Sequence, residues 1–175
     1  MSLNWRQFEL GVLRPTLTEL AAVMPAPEVA VRLVGETLWH ESDRLRALGQ
    51  YPRRNLDDAS VAPGSLPVFG PGLGIASIER PTWDWMAETH DHILGYRAYA
   101  ALAYDLRLNV VACRLRYFLD PMALPLRGIG DDGKPIDPDD DIKARATYWW
   151  KVYNRGQIDR RPDYFANVIG MPWAL

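Results

Sequence analysis

Apolar residues return every three or four positions through most of this chain, the spacing of helices that bury one face. The clearest run begins at Pro27. Val31, Val34, Leu38 and Leu45 follow in steps of 3, 4 and 7, and Val29, Leu33 and Trp39 widen the stripe. This predicts a helix with a broad buried face running to about Leu48, with Gly49 as its C-terminal cap. Glu41 falls on the flank of that face, between Leu38 and Leu45. Upstream, Leu3, Phe8, Leu10, Val12, Leu13, Leu17, Leu20 and Val23 predict one or two short helices interrupted at Arg14–Pro15. Met24-Pro-Ala-Pro27 stops one helix and starts the next, since proline is tolerated in a first turn.

Helical spacing resumes at Pro81–Thr82 with Trp83, Met86, His90, Ile93 and Leu94, followed by an apolar and aromatic segment from Tyr96 to Leu108. Asn109 to Phe118 reads as a further helix stopped by Pro121. A last major helix carries Ile142, Ala146, Trp149, Trp150 and Tyr153. Asp139 to Asp141 precede it, and acids there complement the macrodipole, with one of them expected to cap the helix. From Tyr51 to Gly74 prolines and glycines break any period, leaving at most a small hairpin around Leu66–Phe69 and Leu73–Ile78. Asp57 and Asp58 sit inside this loop. Loops of this length in a domain are often functional. Arg127–Pro138 is a second such loop, and the tail from Ile158 is short. With no repeat and no strong strand alternation, the expectation is a mainly α, single domain over residues 1–175.

Composition narrows the classes. The chain has 175 residues, 48% hydrophobic and 24% charged, which suits one real core and argues against disorder. Seven Trp and eight Tyr are many for this length; they fill a core or line a groove for something flat, sugar rings included. Lys plus Arg is 20 against 22 for Asp plus Glu, a formal charge of −2. Without a basic run or zinc-finger spacing, nucleic acid is not an expected partner. Cys113 is the sole cysteine, so no internal disulfide forms, and its apolar neighbours make it an inert small hydrophobe. No apolar run approaches the roughly 18 residues of a membrane span. The opening Met1-Ser-Leu-Asn-Trp-Arg6 lacks the order of a secretory signal, so folding in a cytoplasm is expected.

Candidate chemistry centres on Glu41. It pairs with Arg44 or Arg46, faces water, or is held in a crevice, where desolvation raises a glutamic acid toward proton donation near neutral pH. His90 and His92 suggest a metal, but positions two apart on a helix point to different faces. The acids at 139–141 lack EF-hand spacing. No metal and no cofactor is expected. Ser65 and Ser77 lie in no nucleophile-elbow sequence, and Gly70–Gly74 lacks the Lys and Ser/Thr of a phosphate-cradling loop. Tyr153 is a core or groove aromatic, and Asn154 a helix C-cap or groove residue.

Three stretches in fixed order carry a resemblance. Glu41–Ser42 ends the apolar helix; Gly72-Leu-Gly74-Ile-Ala-Ser77-Ile-Glu-Arg-Pro81-Thr82 follows the loop; Tyr153-Asn154-Arg-Gly156 closes the last helix. Together they resemble the lytic transglycosylase and goose-type lysozyme superfamily, with its Glu-Ser, Gly-Leu-Met-Gln, Pro-x-Thr and Tyr-Asn-x-Gly hallmarks. More closely, the chain resembles bacteriophage proteins carrying this lysozyme-like domain. Arg14–Leu17, Gly35-Glu36-Thr37 before Glu41, Gly70–Ile75 and Tyr148–Asn154 match their patterns, and the likeness covers about residues 12–156, leaving 157–175 as a tail.

The resemblance implies a lysozyme-like helical fold with Glu41 as the single general acid/base. Glu41 would protonate the glycosidic oxygen between N-acetylmuramic acid and N-acetylglucosamine, then help deprotonate the attacking group. That group is the sugar's own C6 hydroxyl in a transglycosylase and water in a lysozyme. Ser42, Ser77, Tyr153 and Asn154 would bind substrate, with the Tyr153 hydroxyl directed toward Glu41 and the sugar. The implied partners are peptidoglycan glycan strands and other virion proteins, with room for a homo-oligomer in a particle. The implied location is the virion, after synthesis in the host cytoplasm. Three departures stand out: Ser77 replaces the family's groove Gln, Pro81 comes one residue late, and Glu36 displaces Thr37 from the place directly after Gly35. A serine makes fewer contacts to a sugar, each worth about 0.5–1.5 kcal/mol. The implied activity is therefore a virion-associated muramidase or lytic transglycosylase, and the alternative is a structural tail or head component built on the same fold.

Overall fold

Helix α3 (Glu28–Glu41) runs through the middle of the molecule. Its apolar stripe is buried as its spacing predicts: Val31, Leu33, Val34 and Leu38 are all inside. Ala30, Gly35, Glu36, Thr37 and His40 are buried as well, so neighbours cover the helix on nearly every side. In the computed structural model, which describes residues 4–25, 28–42, 44–45, 72–125, 134, 137–155 and 159–173, α3 packs on α5 (Leu106–Phe118), α7 (Arg161–Val168) and a π-helical turn at Glu9–Leu13. Gly35 makes the last approach feasible. A Cβ there would meet Leu13 Cδ2 of that turn at 3.0 Å, and the Trp173 ring at 2.4 Å.

α3 ends at Glu41, earlier than the predicted Leu48, because local chemistry closes it. The Ser42 hydroxyl donates to the Leu38 carbonyl at 2.5 Å and accepts from the Leu45 amide at 2.9 Å. Arg44 and Leu45 then turn left-handed, with φ of 60° and 62°, which no helix continues. Leu45 is nonetheless buried, so it keeps its place in the core after the helix stops. Gly49, Asp57, Asp58 and Leu66–Phe69 lie outside the described residues.

At the start of the chain, α1 (Trp5–Phe8), the π turn and α2 (Arg14–Leu20) form one continuous helical path. The expected break at Arg14–Pro15 is a change of register instead. The Arg14 amide reaches back to the Glu9 carbonyl, a five-residue step that lets Pro15, which has no N–H to give, sit in the first turn of α2.

Among the described residues strands are limited to one antiparallel pair, β1 (Gly72–Leu73) and β2 (Ile78–Glu79), in register Gly72↔Glu79 and Leu73↔Ile78. Its turn is fixed from outside. The Asn109 side-chain oxygen accepts from the Ala76 amide at 3.2 Å, while its amide group donates to the Leu102 and Asp105 carbonyls at 2.8 Å each. Gly74 has a φ of +75°, and a Cβ on it would lie 2.0 Å from Asn109 Oδ1 and 2.6 Å from the Leu102 carbonyl oxygen. Gly74→Ala is therefore expected to cost about 2–4 kcal/mol from strain and clash together. Denaturant unfolding checks this, and an unchanged midpoint would show that the turn yields freely.

α4 (Arg80–His90) begins directly from β2, with Pro81 in its first turn. It stops at His90 rather than running through Leu94, and residues 91–96 turn instead. The left-handed Gly95 and Tyr96, at φ 65° and 54°, end any helical path there. Because the helix has ended, the His90 and His92 rings stack with centroids 6.2 Å apart instead of diverging. Among the described residues no group of three or more His, Cys, Asp or Glu is placed to hold a metal ion. A 3-10 helix (Tyr99–Ala103) leads to α5, capped by the Asp105 side chain at the Leu108 amide, 2.9 Å. Cys113 is fully buried there, and burial pushes its thiol up, away from reactivity.

α6 (Pro138–Tyr148) is capped by Asp137, whose side chain accepts from the Asp139 amide at 2.8 Å. The acids at 139–141 fill the first turn behind it. The cap lies one residue before Pro138 because proline fits the first helical position. A second π turn, Trp149–Tyr153, extends α6, and the Asn154 amide closes it on the Trp149 carbonyl at 3.0 Å. The tail then forms α7, which the sequence reading does not anticipate.

α3, α6 and α7 are tied by one buried ion pair. Arg145 forks onto Glu36, Nε to Oε2 at 2.6 Å and Nη2 to Oε1 at 2.8 Å, and the Tyr164 hydroxyl donates to Glu36 Oε2 at 3.2 Å. Burial alone would lower Arg145, but Glu36 and Asp141 outweigh it and hold the guanidinium charged. The apolar residues from Trp5 to Met171 form one cluster, so the described chain folds around one core. It is mainly α-helical, and none of its described helices is long and apolar enough to cross a membrane.

Candidate active site

Glu41 is the last residue of α3, where the helix runs out into a cleft of about 290 Å³. The cleft walls come from distant parts of the chain: Gly72, Ser77 and Glu79 from the hairpin, Thr82 from α4, Arg116 from α5, Tyr153 and Asn154 from the second π turn, and Arg155 and Arg160 beyond it. Four of the residues singled out from the sequence, Glu41, Ser77, Tyr153 and Asn154, therefore meet in one place. Ser42 does not line the cleft. Its hydroxyl is spent closing α3, so its contribution is to end the helix at Glu41.

The environment of Glu41 decides its protonation. Burial raises its carboxyl from 4.5 to about 6, against the opposing pull of Arg160, the Trp149 indole N–H, Arg116 and the Ser77 hydroxyl. The two neutral donors favour the anion by proximity, but neither Trp149 Nε1 nor Ser77 Oγ attains hydrogen-bond geometry to any described group. Desolvation therefore wins, and Glu41 holds its proton in mildly acidic solution. Arg44 is exposed and forms no ion pair with Glu41 among the described residues, while Arg46 lies outside them. The adjacent His40 is kept neutral: burial, then the nearby Arg160, lowers it to about 4. Its ring packs edge-on against Trp149, centroids 4.8 Å apart, and its Nδ1 meets the Asn167 side-chain amide at 2.9 Å.

Tyr153 lines the cleft, and its hydroxyl donates to the Ala76 carbonyl. The resemblance implied a hydroxyl directed at Glu41 and a sugar; here it pins the hairpin turn that presents Ser77. Arg116 lies over the Tyr153 ring at 4.3 Å and donates to the Tyr153 carbonyl and, at 3.3 Å, to Thr82 Oγ1. It thereby satisfies a carbonyl that the helix end leaves open and ties α4, α5 and the π turn together. Asn154 both caps that turn and borders the cleft, so its two sequence readings coexist. Ser77 sits at a φ of +47°, in the left-handed region that serine adopts at a cost of about 1–3 kcal/mol, a kind of strain found at functional sites.

Sequence reasoning missed Arg116, Arg155, Arg160 and Trp149 as neighbours of Glu41. Arg116 and Arg160 lie in no local motif, and only the tertiary fold brings them in; Trp149 and Arg155 stand inside the Tyr148–Asn154 and Tyr153–Gly156 stretches, where the motif gives them no role. Glu79 was within reach, since it stands inside the Ile-Glu-Arg-Pro-Thr stretch that supplies Thr82. In chemical terms the cleft offers one carboxylic acid that keeps its proton in mildly acidic solution, a second carboxylate, the unpartnered buried Ser77 hydroxyl and an arginine group. No protein-family model matches the chain, and no curated protein and no solved structure is found to be similar to it.

Proposed function

We propose that this chain is a lysozyme-like, peptidoglycan-cleaving domain carried by a bacteriophage particle, with Glu41 as its single general acid/base. The observation that carries the proposal is the acid itself: a glutamic acid raised to about 6 by burial, at the head of a cleft that also gathers Ser77, Tyr153 and Asn154. The further likeness at Arg14–Leu17, Gly35–Ser42, Gly70–Ile75 and Tyr148–Asn154 supports the phage setting. In the reaction, Glu41 donates its proton to the glycosidic oxygen as the bond to the muramyl C1 breaks, and positive charge develops on that sugar. The resulting carboxylate then takes the proton of the attacking hydroxyl. Attack by the sugar's C6 hydroxyl yields an anhydro product, and attack by water yields a reducing end.

Digestion of purified peptidoglycan, wild type beside Glu41→Gln, with products read by mass spectrometry, tests this. Anhydro-muropeptides from the wild type alone assign a transglycosylase, and reducing ends from it alone assign a hydrolase. Equal release by both proteins would remove Glu41 from the chemistry.

A non-catalytic particle component is the second reading, favoured by Tyr96 and Tyr104, which expose 76% and 73% of their surface near the Tyr99–Ala103 segment. Such aromatics suit a protein interface. Incorporation into particles with no glycan release from concentrated protein would favour it.

A further inference from the structure

Beyond the acid, the cleft has a charge pattern that a neutral glycan does not explain. Three of its lining residues are arginines, Arg116, Arg155 and Arg160, against two carboxylates, Glu41 and Glu79. The three differ in how far their charge is already used. Arg116 is committed to Thr82 and the Tyr153 carbonyl. Arg155 is exposed and enters no ion pair among the described residues. Arg160 has a single loose one, Nε to Asp163 Oδ2 at 3.6 Å, between two well-exposed side chains. Glu79 pairs with neither. Arg160 lines the same cleft as Glu41, and its positive charge favours the Glu41 anion and disfavours protonation of His40.

Resting on the muramidase reading above, we infer that Arg155 and Arg160 form an anion subsite that takes a carboxylate carried on the muramyl side of the scissile bond. Two physical arguments support it. A guanidinium offers a planar fork of donors that matches a carboxylate, and charge-assisted bonds of this kind are about twice as strong as neutral ones. In addition, breaking a glycosidic bond builds positive charge on the sugar, which weakly neutralised guanidinium groups lining the same cleft would oppose. An anion delivered by the substrate cancels that opposition. The carboxylate has two sources, the free lactyl group of a peptide-free muramyl ring or the carboxylates of a stem peptide.

Binding to the Glu41→Gln protein, followed by tryptophan fluorescence, separates these cases. The probes are a peptide-free tetrasaccharide of alternating N-acetylglucosamine and N-acetylmuramic acid, its lactyl methyl ester, and the same glycan bearing stem peptides. The acid is expected to bind at least about tenfold more tightly than the ester, with the advantage shrinking as salt rises and disappearing in Arg155→Gln/Arg160→Gln. Equal affinity of acid and ester, an advantage that survives the double substitution, or no binding of any probe would overturn the subsite. Retained advantage in the peptide-bearing glycan assigns the carboxylate to the peptide, and its loss there assigns the lactyl group. Cleavage measured in parallel on wild type keeps the two ideas apart. Cleavage without acid preference removes only the subsite, whereas acid preference without cleavage removes only the catalytic role of Glu41.

Discussion

Glu41→Gln is expected to lose about 10²–10⁴-fold in glycan cleavage and, at neutral pH, to unfold at a higher temperature than the wild type. The two effects have one cause. Burial raises the Glu41 carboxyl from 4.5 to about 6, so between those values the folded state holds a proton that the unfolded state has released. Stability therefore falls as pH rises through that window, and above about 6 the fold carries the full cost of a charged, desolvated carboxylate. Taken at about 1.4 kcal/mol per pH unit, the interval amounts to at most about 2 kcal/mol. Glutamine has nearly the same shape and no charge to bury, so it removes that cost. Below about pH 4.5 the wild-type side chain is neutral in both states, and the stabilisation should vanish. Thermal unfolding of both proteins at neutral and acidic pH measures this. A variant less stable than wild type at neutral pH would mean that Arg160 and Arg116 hold Glu41 as an ion, contrary to a proton-donating role.

The largest stability loss is expected away from the cleft, at Arg145→Met. Arg145 and Glu36 are only 4% and 1% exposed, and the fork between them joins α6 to α3 while Tyr164 adds α7. Removing the guanidinium leaves a buried carboxylate with one hydroxyl donor, a change that costs about 3–5 kcal/mol. Adding Glu36→Leu to that variant should recover part of the loss, since the uncompensated charge goes with it. The Tyr164 hydroxyl then loses its acceptor, which keeps recovery incomplete. Urea unfolding of the single and double variants gives the comparison. If Arg145→Met alone were within about 1 kcal/mol of wild type, the pair would have to be accessible to water, contrary to its burial. Because neither residue lines the Glu41 cleft, cleavage per folded molecule should be preserved.

How far the chain can be read without its structure follows from how local each determinant is. The α3 stripe was legible because Val31, Val34 and Leu38 answer only to helical spacing. Its end was not, since it depends on the Ser42 side chain folding back onto Leu38 and on left-handed Arg44 and Leu45. The helix cap at Asp137 was hidden by three equally plausible acids after Pro138. α7 escaped because only Tyr164 and Val168 of its residues are buried, too few to set up a period. Glu41, Ser77, Tyr153 and Asn154 could be named from motif order, and they do converge. What each does in the cleft could not, because the Tyr153 hydroxyl is claimed by Ala76 and the state of Glu41 is set by Arg160, Trp149 and Arg116, all remote in sequence.

The most direct measurement is the rate of muropeptide release from purified peptidoglycan, followed from about pH 4 to about pH 8, with Glu41→Gln as the control. A general acid works only while protonated. The account therefore predicts a rate that declines about tenfold per pH unit above about 6, the value to which burial raises Glu41, with no such limb in the variant. A rate that climbs through that interval, or one that Glu41→Gln leaves unchanged, would contradict it.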